Sequence, residues 1–286
     1  MRQRIACALL FAAAARAQAP APPAEAPVLQ NTGKPMVIEY SCTEEDIQAA
    51  GLNCTLDDPC PVYLELAAVE AVGNRVFVAG NIHSSSTTLY SVLLSSDDAG
   101  KTWHEPRERI RSAGLDGIQF VDFENGWISG AVLHPLPHDP FFLITSDGGQ
   151  TWRYHPISTE PNYGSIQQFW FNSRSSGSMV IDRGRGSENG RYELYETSNA
   201  GESWSLKQGS DQPIRMKRAG TANADWRVRA DAASKSFHVE RHTGERWHSI
   251  AAFSVSIGSC KPPEAPPAPA EPGEATAPRK SPSEER

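Results

Sequence analysis

The chain has 286 residues, a formal charge of −7 and 39% hydrophobic residues. That is enough apolar content for a core. The acidic balance excludes sequence-independent nucleic-acid binding, which needs a basic surface.

Residues 1–17 read as a signal peptide. Arg2 and Arg4 give a positive start, Ile5 to Ala15 is a short apolar run, and Ala15-Arg16-Ala17 is an A-x-A cleavage site. The run is too short for a bilayer, which needs about 20 apolar residues. Cys7 lies inside it, which argues against a lipid anchor, and no other segment is apolar enough to cross. An exported protein, periplasmic or extracellular, with no transmembrane segment after cleavage is therefore expected. Cleavage removes Arg2, Arg4 and Arg16 and moves the formal charge from −7 to −10.

Residues 18–35 form an Ala/Pro-rich linker, and residues 261–286 a Pro-rich tail expected to be disordered. Both bury too little apolar surface to offset chain entropy. Residues 36–260 remain as one folded domain, a size that suits a single all-β unit.

Within it, residues 36–63 form a cysteine-bearing helical segment. Thr43 is the expected N-cap, acids occupy the first turn, and Gly51 is the stop. Four cysteines survive processing: Cys42, Cys54, Cys60 and Cys260. An even number in an exported chain implies two disulfides. Of the three possible pairings, Cys42–Cys54 with Cys60–Cys260 is preferred, because it staples the helix and ties the start of the domain to its end. The other two stay open. The spacing lacks the two close pairs of a four-cysteine metal site.

A repeat follows. Ser96-Asp97-Asp98-Ala99-Gly100-Lys101-Thr102-Trp103 aligns with Thr145-Ser146-Asp147-Gly148-Gly149-Gln150-Thr151-Trp152. Thr197-Ser198-Asn199-Ala200-Gly201-Glu202-Ser203-Trp204 is the third copy, and Glu240 to Trp247 is a worn fourth that keeps only Gly244 and Trp247. Successive tryptophans lie 49, 52 and 43 residues apart. The pattern is turn chemistry. Asp98, Asp147 and Asn199 can accept backbone N–H bonds. Gly100, Gly149 and Gly201 permit positive φ. Trp103, Trp152 and Trp204 open the next strand and bury a ring. Ser96, Thr145 and Thr197 begin each turn.

The segments before each octet read as three strands, as in Ile118-Gln119-Phe120-Val121-Asp122-Phe123, Trp127-Ile128-Ser129-Gly130 and Phe141-Phe142-Leu143-Ile144. Each unit thus has four strands over roughly 40–50 residues, the pattern of a propeller blade. The expected fold is all-β: a small β-propeller of about four blades, as a closed four-blade ring, a five-blade ring with one degenerate blade, or an incomplete ring completed by a partner.

The octets resemble the Asp-box, or bacterial neuraminidase repeat. The stretch from Ile118 to Gly130 followed by Thr145 to Trp152 resembles a blade of the photosystem II stability/assembly factor family. Sialidase and sortilin-type propellers are more distant likenesses. The resemblance spans residues 64–257 and implies larger rings of six or seven blades, for which this chain lacks the length. It also implies that the Asp-box carboxylates are structural.

Sialidase chemistry would need an arginine trio, a tyrosine nucleophile with a glutamate, and an aspartate. The chain has Arg109-Ile110-Arg111 but no Arg-Ile-Pro, and in Tyr192-Glu193 and Tyr195-Glu196 the neighbours point to opposite strand faces. His134-Pro135-Leu136-Pro137-His138-Asp139 has two metal-capable histidines without a third ligand. The loop from Arg183 to Gly190 reads as a polar hairpin tip, and the basic runs Arg215–Arg218 and Arg227–Arg229 as solvated strand faces. No catalytic set, metal or cofactor is expected. The function expected is non-enzymatic binding of an unknown protein or glycan; the rival is a carbohydrate-active enzyme with an unrecognised site.

Overall fold

The computed structural model describes residues 27–134, 136–216, 224–256 and 260–262. The expected signal peptide and nearly all of the expected tail lie outside them.

The fold is all-β, built of four blades. The first contains β3 (Val62–Val72), β4 (Arg75–Ser84) and β5 (Thr88–Ser96). Its short fourth strand, β6 (Thr102–Trp103), joins β5 through reciprocal Ser95–His104 backbone bonds of 2.8 and 3.0 Å. The second blade is β7 (Ala113–Phe120), β8 (Gly126–Val132), β9 (His138–Thr145) and β10 (Arg153–Pro156). The third is β11 (Ser165–Phe171), β12 (Gly177–Asp182), β13 (Tyr192–Thr197) and β14 (Ser205–Ser210). The fourth is β15 (Trp226–Asp231), β16 (Ser236–Thr243) and β17 (Arg246–Val255), and the N-terminal strand β2 (Met36–Ile38) adds to β17 in parallel.

One departure from the expected boundaries concerns the N-terminal segment. β1 (Leu29–Gln30) pairs with β6, so the fold takes in residues assigned above to the 18–35 linker. Asn31 then donates to the carbonyls of Gly100 and Ile250, stitching the first blade to the fourth.

Inner blades are buried on both faces, and alternation along a strand sends successive side chains to different interfaces. In β4, Val76 and Val78 join a core shared with Val239, Ala251 and Phe253 of the fourth blade. Phe77 and Ala79 join a core shared with Leu115, Phe120, Ile128 and Trp152 of the second. In β9, Phe141 and Leu143 face that second core. Phe142 faces a third, with Trp127, Phe169, Phe171 and Met179. The blades therefore stack in the order fourth, first, second, third.

Among the described residues, three apolar interfaces join four blades, and no such core lies between the third and the fourth. Among the described residues the blades therefore form an open arc. Its ends are finished by different means. Ile214 and Met216 border a small cleft on the free face of the third blade with Trp170 and Leu194, and Gln168 donates to the Ile214 carbonyl. On the fourth blade, Glu240 accepts from Arg227 and Arg229 at 2.7 and 2.8 Å.

α1 (Glu44–Ala49) has the expected cap: Asp46 N–H bonds Thr43 Oγ1, and Asp46 Oδ2 accepts the Thr43 N–H. Asp46 is also buried beneath two tyrosine hydroxyls: Tyr90 of β5, at 2.5 Å, fastens the helix to the first blade, and Tyr40, at 3.4 Å, ties it to its own N-terminal segment. The cysteine pairing differs from the preferred one. Cys42 bonds Cys260 and Cys54 bonds Cys60. Cys60 does meet Cys260, but through its backbone, by reciprocal N–H···O bonds of 2.9 Å. The six-residue helix and its flanking residues separate Cys42 from Cys54, and Cys42 meets Cys260 instead.

Candidate functional site

The three octets that close the first, second and third blades share one hydrogen-bond plan. The leading hydroxyl of Ser96, Thr145 or Thr197 donates to the third residue and accepts the N–H of Gly100, Gly149 or Gly201. Oδ1 of Asp98, Asp147 or Asn199 accepts the N–H of the seventh residue at 2.9 to 3.0 Å. The backbone bond from Thr102, then the other donors, holds the Asp98 carboxyl down at about 2. The fourth and fifth residues of each octet are left-handed, including Ala99 and Ala200.

Each turn also grips the blade before it. Arg75 donates to the Gly148 carbonyl and Trp127 to the Ala200 carbonyl. Trp103 packs on Phe253, Trp152 on Phe77, and Trp204 on Phe142. The worn fourth copy is a different object. Its Gly244 and Trp247 flank the turn between β16 and β17, one strand earlier than in the other blades. Trp247 is half-buried under Arg227, 4.1 Å from the ring centre, and belongs to no core. The fourth blade is first in the arc, so such a turn has no preceding blade to grip.

The candidate binding site lies along the inner strands. β3, β7 and β11 each carry a β-bulge at the equivalent register, between Leu66 and Ala68, Leu115 and Gly117, and Ile166 and Gln168. The extra residues, Ala67, Asp116 and Gln167, are all exposed. Bulges re-aim side chains in this way. A groove of about 250 Å³ runs beside them, lined by Val69, Asp116, Ile118, Gln167, Gln168 and Trp170 among others.

Several polar groups in this groove already hold the blades together. Gln119 exchanges two 2.8 Å bonds with the Phe171 backbone, and Glu70 accepts the Phe120 N–H at 3.4 Å. Asp116 makes no hydrogen bond among the described residues. Desolvation by the crowding protein, then the charge of Glu65, pushes its carboxyl up to about 6 although it reaches the groove surface. Nothing in the sequence marked these positions, since a bulge depends on pairing across strands.

The other candidates fall elsewhere. His138 bonds Asp139 at 2.8 Å and His134 bonds Thr87 at 2.9 Å, and no metal-binding cluster occurs among the described residues. Arg109 is paired with Glu105, and Arg111 with Glu45. The tyrosine–glutamate contact joins residues two apart: Tyr195 donates to Glu193 at 2.6 Å, and Arg183 holds both. That network sits beside a loop cleft of about 440 Å³ bordered by Tyr163, Asp182, Arg185 and Arg191.

Fold and groove together define a four-bladed, open-arc β-propeller protein with a polar inner face. Among solved structures the chain is similar to YCF48 bound to D1 peptide, at 17% identity and a TM-score of 0.37, over 66% of this chain and 56% of that one. It is also similar to the GH74 xyloglucanase from Xanthomonas campestris, at 14% identity and a TM-score of 0.31, over 64% of this chain and 29% of that one. No protein-family profile and no curated protein matches the chain.

Proposed function

We propose that the chain is an exported binding module whose inner groove grips an extended segment of a partner protein, with the octets acting as Asp-box turns that set the blades. The observation that carries this reading is the threefold bulge. It presents Asp116 and Gln167 in a groove whose other polar groups are mostly committed to the fold. An extended backbone offers N–H and C=O groups to such side chains, and the half-buried Trp170 offers an apolar platform. The two disulfides support an oxidising compartment. No helix among the described residues is long and apolar enough to cross a membrane.

The test is selection of peptides from a random 12-residue display library on the full chain, with affinities measured by fluorescence polarisation. Gln167→Arg and Asp116→Ala should each weaken selected peptides at least tenfold. Equal affinity for both variants would move the site away from the groove. One observation favours a second reading, a carbohydrate-active enzyme. A carboxyl held near 6 beside Glu65 has the poise of a general acid. Release of reducing sugar from a glycan panel, lost in Asp116→Asn, would establish that reading instead.

A further inference from the structure

The four cysteines converge on one place, the bridge where the start of the first blade meets the segment after β17. Cys60 and Cys260 are directly opposite each other and exchange both backbone bonds at 2.9 Å. A pair of that kind has its Cα atoms about 5.5 Å apart, which is inside the range a disulfide spans. The bonds actually made are Cys42–Cys260 and Cys54–Cys60, with Cα separations of 5.1 and 5.3 Å. Being directly opposite, Cys60 and Cys260 send their side chains to the same face of the bridge, and all four cysteines belong to one cluster. Cys260 and Cys54 are buried, while Cys42 and Cys60 are partly exposed and open to an external thiol.

We propose that these residues form a thiol-exchange site, in which Cys60 can take Cys260 from Cys42. An external dithiol first reduces Cys54–Cys60. Two electrons and two protons pass to the cysteines, and the dithiol becomes a disulfide. The Cys60 thiolate then attacks the Cys260 sulfur. The Cys60–Cys260 bond forms as Cys42–Cys260 breaks, and the electron pair leaves on the Cys42 sulfur, which takes up a proton. This second step is redox-neutral. The two-electron-reduced protein then holds Cys60–Cys260, with thiols at Cys42 and Cys54.

The consequence is mechanical. Cys42 lies between β2, the added strand of the fourth blade, and α1. While bonded to Cys260 it ties that N-terminal segment to the segment after β17. After exchange the latter is tied to the first blade instead, and the N-terminal segment is held by non-covalent contacts alone. Thiol partners of the thioredoxin type, two cysteines passing a disulfide, have the chemistry to drive the step.

The test uses the full folded chain. It is treated with less than one equivalent of dithiothreitol, quenched in acid, alkylated with N-ethylmaleimide and mapped by non-reducing peptide mass spectrometry. The expected product is a Cys60–Cys260 peptide with Cys42 and Cys54 alkylated. Retention of Cys42–Cys260 with Cys54 and Cys60 alkylated overturns the proposal. A second measurement uses Cys54→Ser, which leaves Cys60 as a thiol beside the intact bond. In a glutathione buffer, at least a tenth of the molecules should carry Cys60–Cys260. Exclusive Cys42–Cys260, with Cys60 free or bound to glutathione, overturns it equally.

Discussion

Individual residues already separate by what surrounds them. Asp116 holds its proton more tightly in the fold, up to about 6, than the ordinary 3.8 of an unfolded chain. Between those values the folded state binds more protons, so this group makes stability fall as pH rises. Asp116→Asn should therefore gain in Tm relative to the parent from pH 4 to 6 and hold that gain above 6. A flat difference across the window, measured by calorimetry, would show that the groove does not crowd the carboxyl. The tryptophans separate in the same way. Trp103 is fully buried against Phe253, so Trp103→Ala should cost about 3–5 kcal/mol. Trp247 rests on Arg227 at the surface, so Trp247→Ala should cost about 1 kcal/mol. Urea denaturation checks both.

At the scale of elements, the octet is a turn and a clamp at once. Its hydrogen bonds were legible in the sequence, because the groups that make them lie within eight residues. Its grip on the preceding blade was not, because Arg75 and Trp127 come from a different part of the chain. Glycine shows the difference. A Cβ on Gly149 would stand 2.4 Å from the Phe77 ring, and its φ is +84°. Gly244 has a φ of +63° but nothing within 4 Å. Gly244→Ala should cost only the left-handed penalty of about 1–2 kcal/mol. Gly149→Ala should cost clearly more, and equal midpoints in urea would mean that the turn does not press on the first blade. The fourth copy misled for the same reason. Gly and Trp at the right spacing signal a turn, but not which pair of strands it joins or whether a blade stands in front of it.

At the scale of the whole molecule, an open arc has two ends to finish and no ring closure to share the load. The N-terminal segment and the cysteines fasten the fourth blade to the first. In the chain-entropy account, Cys42–Cys260, with a sequence separation of 218, stabilises by about 5 kcal/mol, and Cys54–Cys60, with a separation of 6, by about 2 kcal/mol. The double variant Cys42→Ser/Cys260→Ser should thus be much less stable than Cys54→Ser/Cys60→Ser. Near-equal urea midpoints would show that the first and fourth blades hold together without the long bond.

The sequence by itself determined the all-β class, about four blades, three of the turn octets and the helix cap. Each is set by interactions between residues close in the chain, or by a period that repeats along it. Tertiary structure decided the rest. The open arc depends on which blade faces meet, and the groove depends on bulges in three strands that only cross-strand pairing creates. The disulfide partners depend on the six-residue helix and its flanking residues separating Cys42 from Cys54, so that Cys42 meets Cys260. In each case the deciding contact joins residues far apart in sequence, and their composition is the same whichever way they are brought together.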